Sequence, residues 1–266
     1  MMNDPLVLLE KSEGIATLTL NRPGVMNALS LRLMNAVADA FEDLAADTET
    51  GVVILTGAGR AFCAGLDLKE LGTENLAPLD DDSCLSAVTA GIFRKIYEFD
   101  RPIIGAINGP AVAGGFELAL MCDILYASSR ARFADTHARV GFIPGGGLSQ
   151  ILPRIIGPGR AKEISFTGNY LSAEQAERWG LVNRVLPPDE LMPACRALAK
   201  DILSCVPEVV KGYKRLIDQG LSTTLAQGLC METDAFLEHA RHVSAESIAG
   251  RRQAVIKRGR SRKDRK

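Results

Sequence analysis

Glu117 is the residue in this sequence best placed to do chemistry. It falls in the first turn of an apolar helical run, directly after Asn108-Gly109-Pro110-Ala111-Val112-Ala113-Gly114-Gly115, a loop with almost no side chain. Small residues let a ligand lie against the backbone, and a helix start leaves N–H groups without intrahelical partners. Such donors beside a carboxylate in apolar surroundings suit a reaction that builds negative charge on an oxygen while a proton moves. Glu117 also has a plainer reading, as a carboxylate favoured by the dipole of its own helix. An earlier stretch has the same order. Val53-Ile54-Leu55-Thr56, then Ala61-Phe62-Cys63-Ala64-Gly65-Leu66-Asp67-Leu68, again runs strand, small-residue loop, helix start. Two such modules can aim two backbone N–H groups at one ligand oxygen.

The elements that must position these groups follow from periodicity and punctuation. Leu6–Leu9 and Ile15–Leu20 read as a hairpin about Gly14. Ser30 caps a helix through about Ala46 whose Leu33, Val37, Phe41 and Leu44 share one face. The continuous apolar run at Gly51–Thr56 predicts a strand buried on both faces, Pro102–Ile107 reads as another buried strand, and Asp123–Ala127 as a further short strand. Leu66–Leu71 reads as a short helical segment, and a helix is expected over about Cys84–Phe99. Between Gly72 and Ser83 the pattern lapses, as in surface loops that border ligand tunnels. Phe133–Gly147, rich in Gly and Pro, is expected to wrap the site. The capping box at Ser172-Ala173-Glu174-Gln175 starts a helix that stops at Gly180, and Val182–Leu186 is a strand. After Pro187-Pro188 the chain reads as helical throughout: about Asp189–Ser204, Pro207–Gln219, Thr223–Ala240 and Ala245–Lys257. The expected organisation is an α/β core over residues 1–188 and a helical region over 189–266, whose exposed faces suit burial on a partner subunit.

Composition narrows the function. The chain has 266 residues, 47% hydrophobic and 24% charged, ordinary values for a globular protein. Its longest apolar window, Ile103 to Ala127, is interrupted by Asn108, Pro110, Glu117 and Asp123, so no membrane span is expected. Six cysteines show no C-x-x-C pairing, and Met-Met-Asn-Asp-Pro lacks the features of a secretory leader; the expectation is a cytoplasmic protein with reduced thiols. No metal spacing, no G-x-S-x-G elbow and no phosphate-binding P-loop occurs, and Gly57-Ala58-Gly59-Arg60-Ala61-Phe62 falls short of G-x-G-x-x-G. The net charge of −1 hides a basic end, +8 from Arg251 onward against −9 elsewhere. It reads as a solvated tail. The absence of interleaved aromatics argues against nucleic acid.

The segments Ala61–Leu68, Asn108–Ala119 and Phe133 with Gly141-Phe142-Ile143-Pro144-Gly145-Gly146-Gly147 resemble those of the crotonase (enoyl-CoA hydratase/isomerase) superfamily. Asn21-Arg22-Pro23, Asn27-Ala28-Leu29 and Ala173-Gln175-Ala176 with Gly180-Leu181-Val182 match its flanking patterns. The resemblance implies a spiral of repeated ββα units with a C-terminal helical trimerisation region, assembled as a homotrimer or a dimer of trimers. It implies a coenzyme A thioester as substrate, with no separate cofactor. The thioester oxygen would be gripped by the backbone N–H groups of Leu66 and Gly114. Ala28, Ala64, Asp67, Leu68 and Lys257 (or Arg258) would contact CoA or substrate, and Glu117 corresponds to the first catalytic glutamate. The second glutamate's place is taken by His137.

His is competent to accept or donate a proton near neutral pH, so Glu117 and His137 suit an acid/base pair. Alternatively His137 bonds a loop carbonyl. Asp135, two residues earlier, either orients His137 or salt-bridges Arg139. Cys63 is expected to be a small buried filler, and His239 and His242 exposed or interfacial. The implied reaction is reversible addition of water to a 2-trans-enoyl-CoA, as in fatty-acid β-oxidation. Double-bond isomerisation and thioester hydrolysis use the same apparatus, and a non-catalytic acyl-CoA-binding protein is the alternative of another class.

Overall fold

The computed structural model describes residues 4–71 and 85–263, so the loop expected at Gly72–Ser83 lies outside the described residues. The chain opens with antiparallel β1 (Val7–Ser12) and β2 (Ile15–Leu20). Glu13 and Gly14 join them, both at positive φ (53° and 77°), the turn that matches strand twist. Helix α1 (Leu31–Ala46) follows, the Ser30 Oγ accepting the Leu33 N–H at 3.1 Å. At its far end the buried Arg101 guanidinium donates to the carbonyls of Leu44, Asp47 and Thr50, closing groups the helix leaves open.

β3 (Val52–Gly57) and β4 (Ile103–Ile107) lie at the centre of a six-stranded sheet and are buried throughout. Between them come α2 (Leu68–Leu71) and α3 (Leu85–Tyr97). Alternation along the central strands divides the core into two layers. Val53, Leu55, Ile103 and Ile107 join Phe41, Leu44, Ile92 and Phe93 on one face, while Val52, Ile54, Ile104 and Ala106 join Leu191, Cys195 and Ala199 on the other.

After β4 the chain forms β5 (Ala111–Val112), α4 (Gly114–Leu120), β6 (Ile124–Ser128), β7 (Arg132–Ala134) and α5 (His137–Val140). Next come α6 (Leu148–Ile156), α7 (Pro158–Thr167), β8 (Leu171–Ser172), α8 (Ala173–Arg178) and β9 (Arg184–Leu186). The large sheet has the order β1-β2-β3-β4-β6-β9, parallel from β2 onward. A smaller ladder, β5-β7-β8, is extended by the bridges Cys63↔Ala111 and Leu29↔Leu66. Successive passes therefore place one strand in the large sheet and a short stretch in the small ladder, then enter a helix. That repetition is the expected α/β spiral of ββα units.

Helices α6 and α7 have no counterpart in the sequence reading. Leu148, Leu152 and Ile156 are buried at helical spacing, but Pro153 inside α6 and Gly157-Pro158 after it break the pattern that announces a helix. The remaining helices are α9 (Leu191–Leu203), α10 (Pro207–Gly220), α11 (Leu225–Ala240) and α12 (Ala245–Lys263). The chain divides into two compact units, Met1–Lys211 and Gly212–Lys266, so the sheet-bearing unit extends past Pro188 to include α9. In the second unit Thr224 and Gln227 form a full capping box at the start of α11. Along α11 and α12, Leu225, Leu229, Phe236, Leu237 and Ile248 are exposed.

Candidate active site

The N-terminus of α4 sits against the Cys63–Leu66 segment, and glycine makes the contact possible. A Cβ on Gly115 would stand 2.2 Å from the Cys63 carbonyl oxygen. Gly65 has φ +90°, and a Cβ there would stand 2.7 Å from the Val112 oxygen and 3.3 Å from the Gly114 nitrogen. A Cβ on Gly114 would in turn lie 3.6 Å from the Leu66 nitrogen, so the two backbone nitrogens border one small volume. In the parallel bridge Leu29↔Leu66, Leu29 N–H donates to Gly65 O at 2.8 Å and Asp67 N–H to Leu29 O at 3.0 Å, which turns the Leu66 N–H the other way. Gly114 is the first residue of α4, and Ala113 O already accepts Phe116 N–H and Glu117 N–H. Among the described residues, neither the Leu66 nor the Gly114 N–H has a backbone acceptor outside the regular elements. These are the two residues whose N–H groups the resemblance named.

Loop Arg22–Leu29 holds this cradle in place. Asn27, fully buried at φ 56°, donates through Nδ2 to Ala58 O and Ala61 O (both 2.9 Å) and Phe62 O (3.2 Å), and its Oδ1 accepts Arg22 N–H. Cys63 Sγ donates to Asn27 O at 3.2 Å, and burial pushes its thiol up to about 12, so it is a packing residue and not a nucleophile. Ala28, Ala64, Asp67 and Leu68 lie on the same two segments. The Asp67 carboxylate is engaged by Arg22, 3.2 Å from both terminal nitrogens, while Leu68 is exposed. Lys257 lies on α12; its side chain is outside the described residues.

Glu117 and His137 come together. Glu117 is buried, and its Oε1 accepts Gly146 N–H at 2.7 Å and Leu148 N–H at 3.4 Å. Its Oε2 faces His137 Nε2 at 3.7 Å. On the other side of the ring, His137 Nδ1 lies 2.7 Å from Asp135 Oδ1, an oxygen that also accepts the His137 backbone N–H at 3.2 Å. Of the two partners open to Asp135, the imidazole is the one engaged; Arg139 instead donates to Asn169 Oδ1.

The electrostatics follow from burial and from this chain of groups. Burial raises the Glu117 carboxyl above its ordinary range, against the His137 charge and the Gly146 and Leu148 N–H groups. Burial works the other way on His137 but is outweighed by the bond to Asp135 and the charges of Glu117 and Asp135, so the imidazole is raised as well. Asp135 resists burial because the His137 ring, the Ser165 hydroxyl and the His137 N–H all bond it, and its carboxyl is held low.

Sequence reasoning missed three supports of this site: Ser165, the Gly146 and Leu148 amides that clasp Glu117, and Phe93, whose ring lies 2.4 Å from where a Gly146 Cβ would be. Gly145-Gly146-Gly147 was the available signal for the amides. For Ser165, on a helix the sequence did not announce, there was none. Among the described residues there is no cluster of metal-ligating side chains, and no helix is long and apolar enough to cross a membrane.

Glu117 and His137 are buried and face each other, and on the same helix as Glu117 the Gly114 nitrogen borders one small volume with that of Leu66. The chain as a whole is similar to known proteins. The profile of the enoyl-CoA hydratase/isomerase family matches residues 10–258. A probable peroxisomal enoyl-CoA hydratase of Arabidopsis thaliana is 38% identical over 97% of this chain and 96% of its own length. A crotonyl-CoA hydratase of Syntrophomonas wolfei is 37% identical over 86% and 88%. The crystal structure of an enoyl-CoA hydratase from Bacillus anthracis superposes with a TM-score of 0.87 at 35% identity, covering 95% of this chain and 96% of that one. The chain belongs to the enoyl-CoA hydratase/isomerase family.

Proposed function

We propose that the protein adds water reversibly across the double bond of a 2-trans-enoyl-CoA, the hydration step of a β-oxidation type pathway. The observation that carries this reading is the 3.7 Å separation of Glu117 Oε2 and His137 Nε2, each held by partners on its other side. A water about 2.8 Å from both atoms fits that gap as the apex of a triangle. The thioester oxygen accepts hydrogen bonds from Leu66 N–H and Gly114 N–H, which hold the enolate that forms when the nucleophile reaches Cβ.

Proton bookkeeping is complete within the pair. Ionised Glu117 takes a proton from water as its oxygen bonds to Cβ, and protonated His137 delivers one to Cα. Both groups are raised, which strengthens Glu117 as a base and keeps His137 charged. Return of the proton from Glu117 to His137 restores the starting state. Ala28, Ala64, Asp67 and Leu68 border the CoA path. The exposed apolar residues of α11 and α12 suit assembly into a homotrimer or a dimer of trimers. Cys63 and Cys195, buried and in no disulfide among the described residues, suit a reducing compartment such as the cytoplasm.

Incubation with enoyl-CoA esters of graded chain length, with products identified by mass, tests the assignment. Gain of water supports it. An isomer of unchanged mass would replace it with a double-bond shift by one base, and free acid with thioester hydrolysis. No product with any ester would leave an acyl-CoA binder.

A further inference from the structure

His137 has two ring nitrogens, and only one faces Glu117. Asp135 stands at the end of β7 and is buried. Its Oδ1 accepts both the backbone N–H of His137, at 3.2 Å, and its Nδ1, at 2.7 Å. A residue needed only to turn the loop would use the first bond alone. The second reaches the ring and comes with a further tie, because the Ser165 hydroxyl on α7 bonds the same carboxylate. We propose that Asp135, anchored by Ser165, is a positioning residue that keeps His137 protonated at Nδ1, so that Nε2 is the atom that exchanges protons opposite Glu117.

The argument rests on the charges that surround the imidazole. Asp135 approaches it from β7 and Glu117 from α4, and these are the charged groups that act on it among the described residues. A carboxylate at hydrogen-bond distance only accepts, so Nδ1 must carry a proton in both the neutral and the charged ring. The lone pair of the neutral ring then lies at Nε2, 3.7 Å from Glu117 Oε2. An amide in place of Asp135 removes that compulsion, since it offers the ring either an oxygen or an NH2. In a comparable carboxylate–imidazole pair, such an exchange leaves geometry intact and lowers kcat by about 10⁴ through the wrong tautomer.

This inference deepens the reading of Glu117 and His137 as the proton-handling pair, and its test separates the two. Imidazole nitrogen shifts of the 15N-labelled protein are read without substrate, with His137→Gln to assign the signal among the three histidines. In the wild type, neutral His137 carries its proton at Nδ1; in Asp135→Asn the Nε2-protonated form becomes populated, in a protein with unchanged circular dichroism. The hydration assay then shows kcat lowered about 10²–10⁴-fold with KM little changed. The alkaline limb of its pH profile moves to lower pH, because a negative charge beside the imidazole is gone. Ser165→Ala gives the same signs, with a loss of about tenfold or less. An Nδ1-protonated ring in Asp135→Asn overturns the proposal, whether or not kcat falls. So does an unmoved alkaline limb. A shifted tautomer together with a product other than hydrated thioester leaves the proposal standing and overturns the hydration reading instead.

Discussion

Glu117 and His137 each reach the site with one atom held and one free. Glu117 gives Oε1 to backbone amides and His137 gives Nδ1 to a carboxylate, leaving Oε2 and Nε2 to face each other, the two atoms to which the proposed mechanism assigns the proton transfers. Glu117→Gln keeps the size and loses the base; kcat is expected to fall about 10²–10⁴-fold in steady-state assays with crotonyl-CoA. The same variant changes stability in a pH-dependent way. Glu117 and His137 both bind their protons more tightly in the folded state than at their ordinary values of 4.5 and 6.5. Folding is therefore favoured by these groups at low pH, and the advantage is lost as pH rises through the raised values. Gln titrates nowhere and removes one charge that raises His137. The melting temperature of Glu117→Gln relative to wild type should accordingly increase from pH 4 to pH 8; a difference that stays flat or falls would contradict the assignment of burial as the cause. At this scale the sequence was informative where chemistry is concentrated in residue type, as with Glu117 beside a bare loop. It left Asp135 open between two partners, because a spacing of two residues permits a bond to His137 and one of four permits a bond to Arg139. Only the fold decides which side the carboxylate faces.

Among the elements, the meeting of α4 with the Cys63–Leu66 segment carries the most strain and the least tolerance. Ala113 precedes α4 at φ 47° and ψ −118°, a conformation that favours glycine. Ala113→Gly is expected to stabilise the protein by about 1 kcal/mol in chemical unfolding. Gly115→Ala does the reverse. Its methyl would enter the space of the Cys63 carbonyl, 2.2 Å away, and destabilise the protein by about 1–3 kcal/mol while moving Gly114 N–H off its aim. If both substitutions left stability unchanged, the close approach of these segments would be wrong. The strands and α1 were readable because burial on both faces writes a continuous apolar run and burial on one face writes a helical stripe. Helices α6 and α7 were not, since Pro153, Gly157 and Pro158 are local stop signals that tertiary burial of Leu148, Leu152 and Ile156 overrides.

For the molecule as a whole, the two units differ in how they satisfy their apolar residues. The sheet-bearing unit encloses its own core on both faces of the central strands. The helical unit exposes Leu225, Leu229, Phe236 and Leu237 along α11, at 80%, 56%, 66% and 53% of their full surface. Burial of such residues between copies drives assembly at roughly 25 cal/mol per Å². If the proposed trimer or hexamer is held through this face, Phe236→Asp together with Leu229→Asp shifts it to monomers in sedimentation velocity; an assembly unchanged by the pair would contradict that placement of the interface. The helices of this unit were legible from the sequence, but its boundary was not. Pro187-Pro188 looked like the end of the mixed region, whereas Leu191, Cys195 and Ala199 of α9 continue the core beneath β3 and β4.

The central claim is that water bonds to Cβ between Glu117 and His137. Crotonyl-CoA turned over in 18O-labelled water tests it directly. The account predicts one labelled oxygen in the acyl chain of the product, at C3, with incorporation slowed about 10²–10⁴-fold in Glu117→Gln. Turnover that leaves the acyl chain unlabelled, or labels only a released carboxylate, would contradict it.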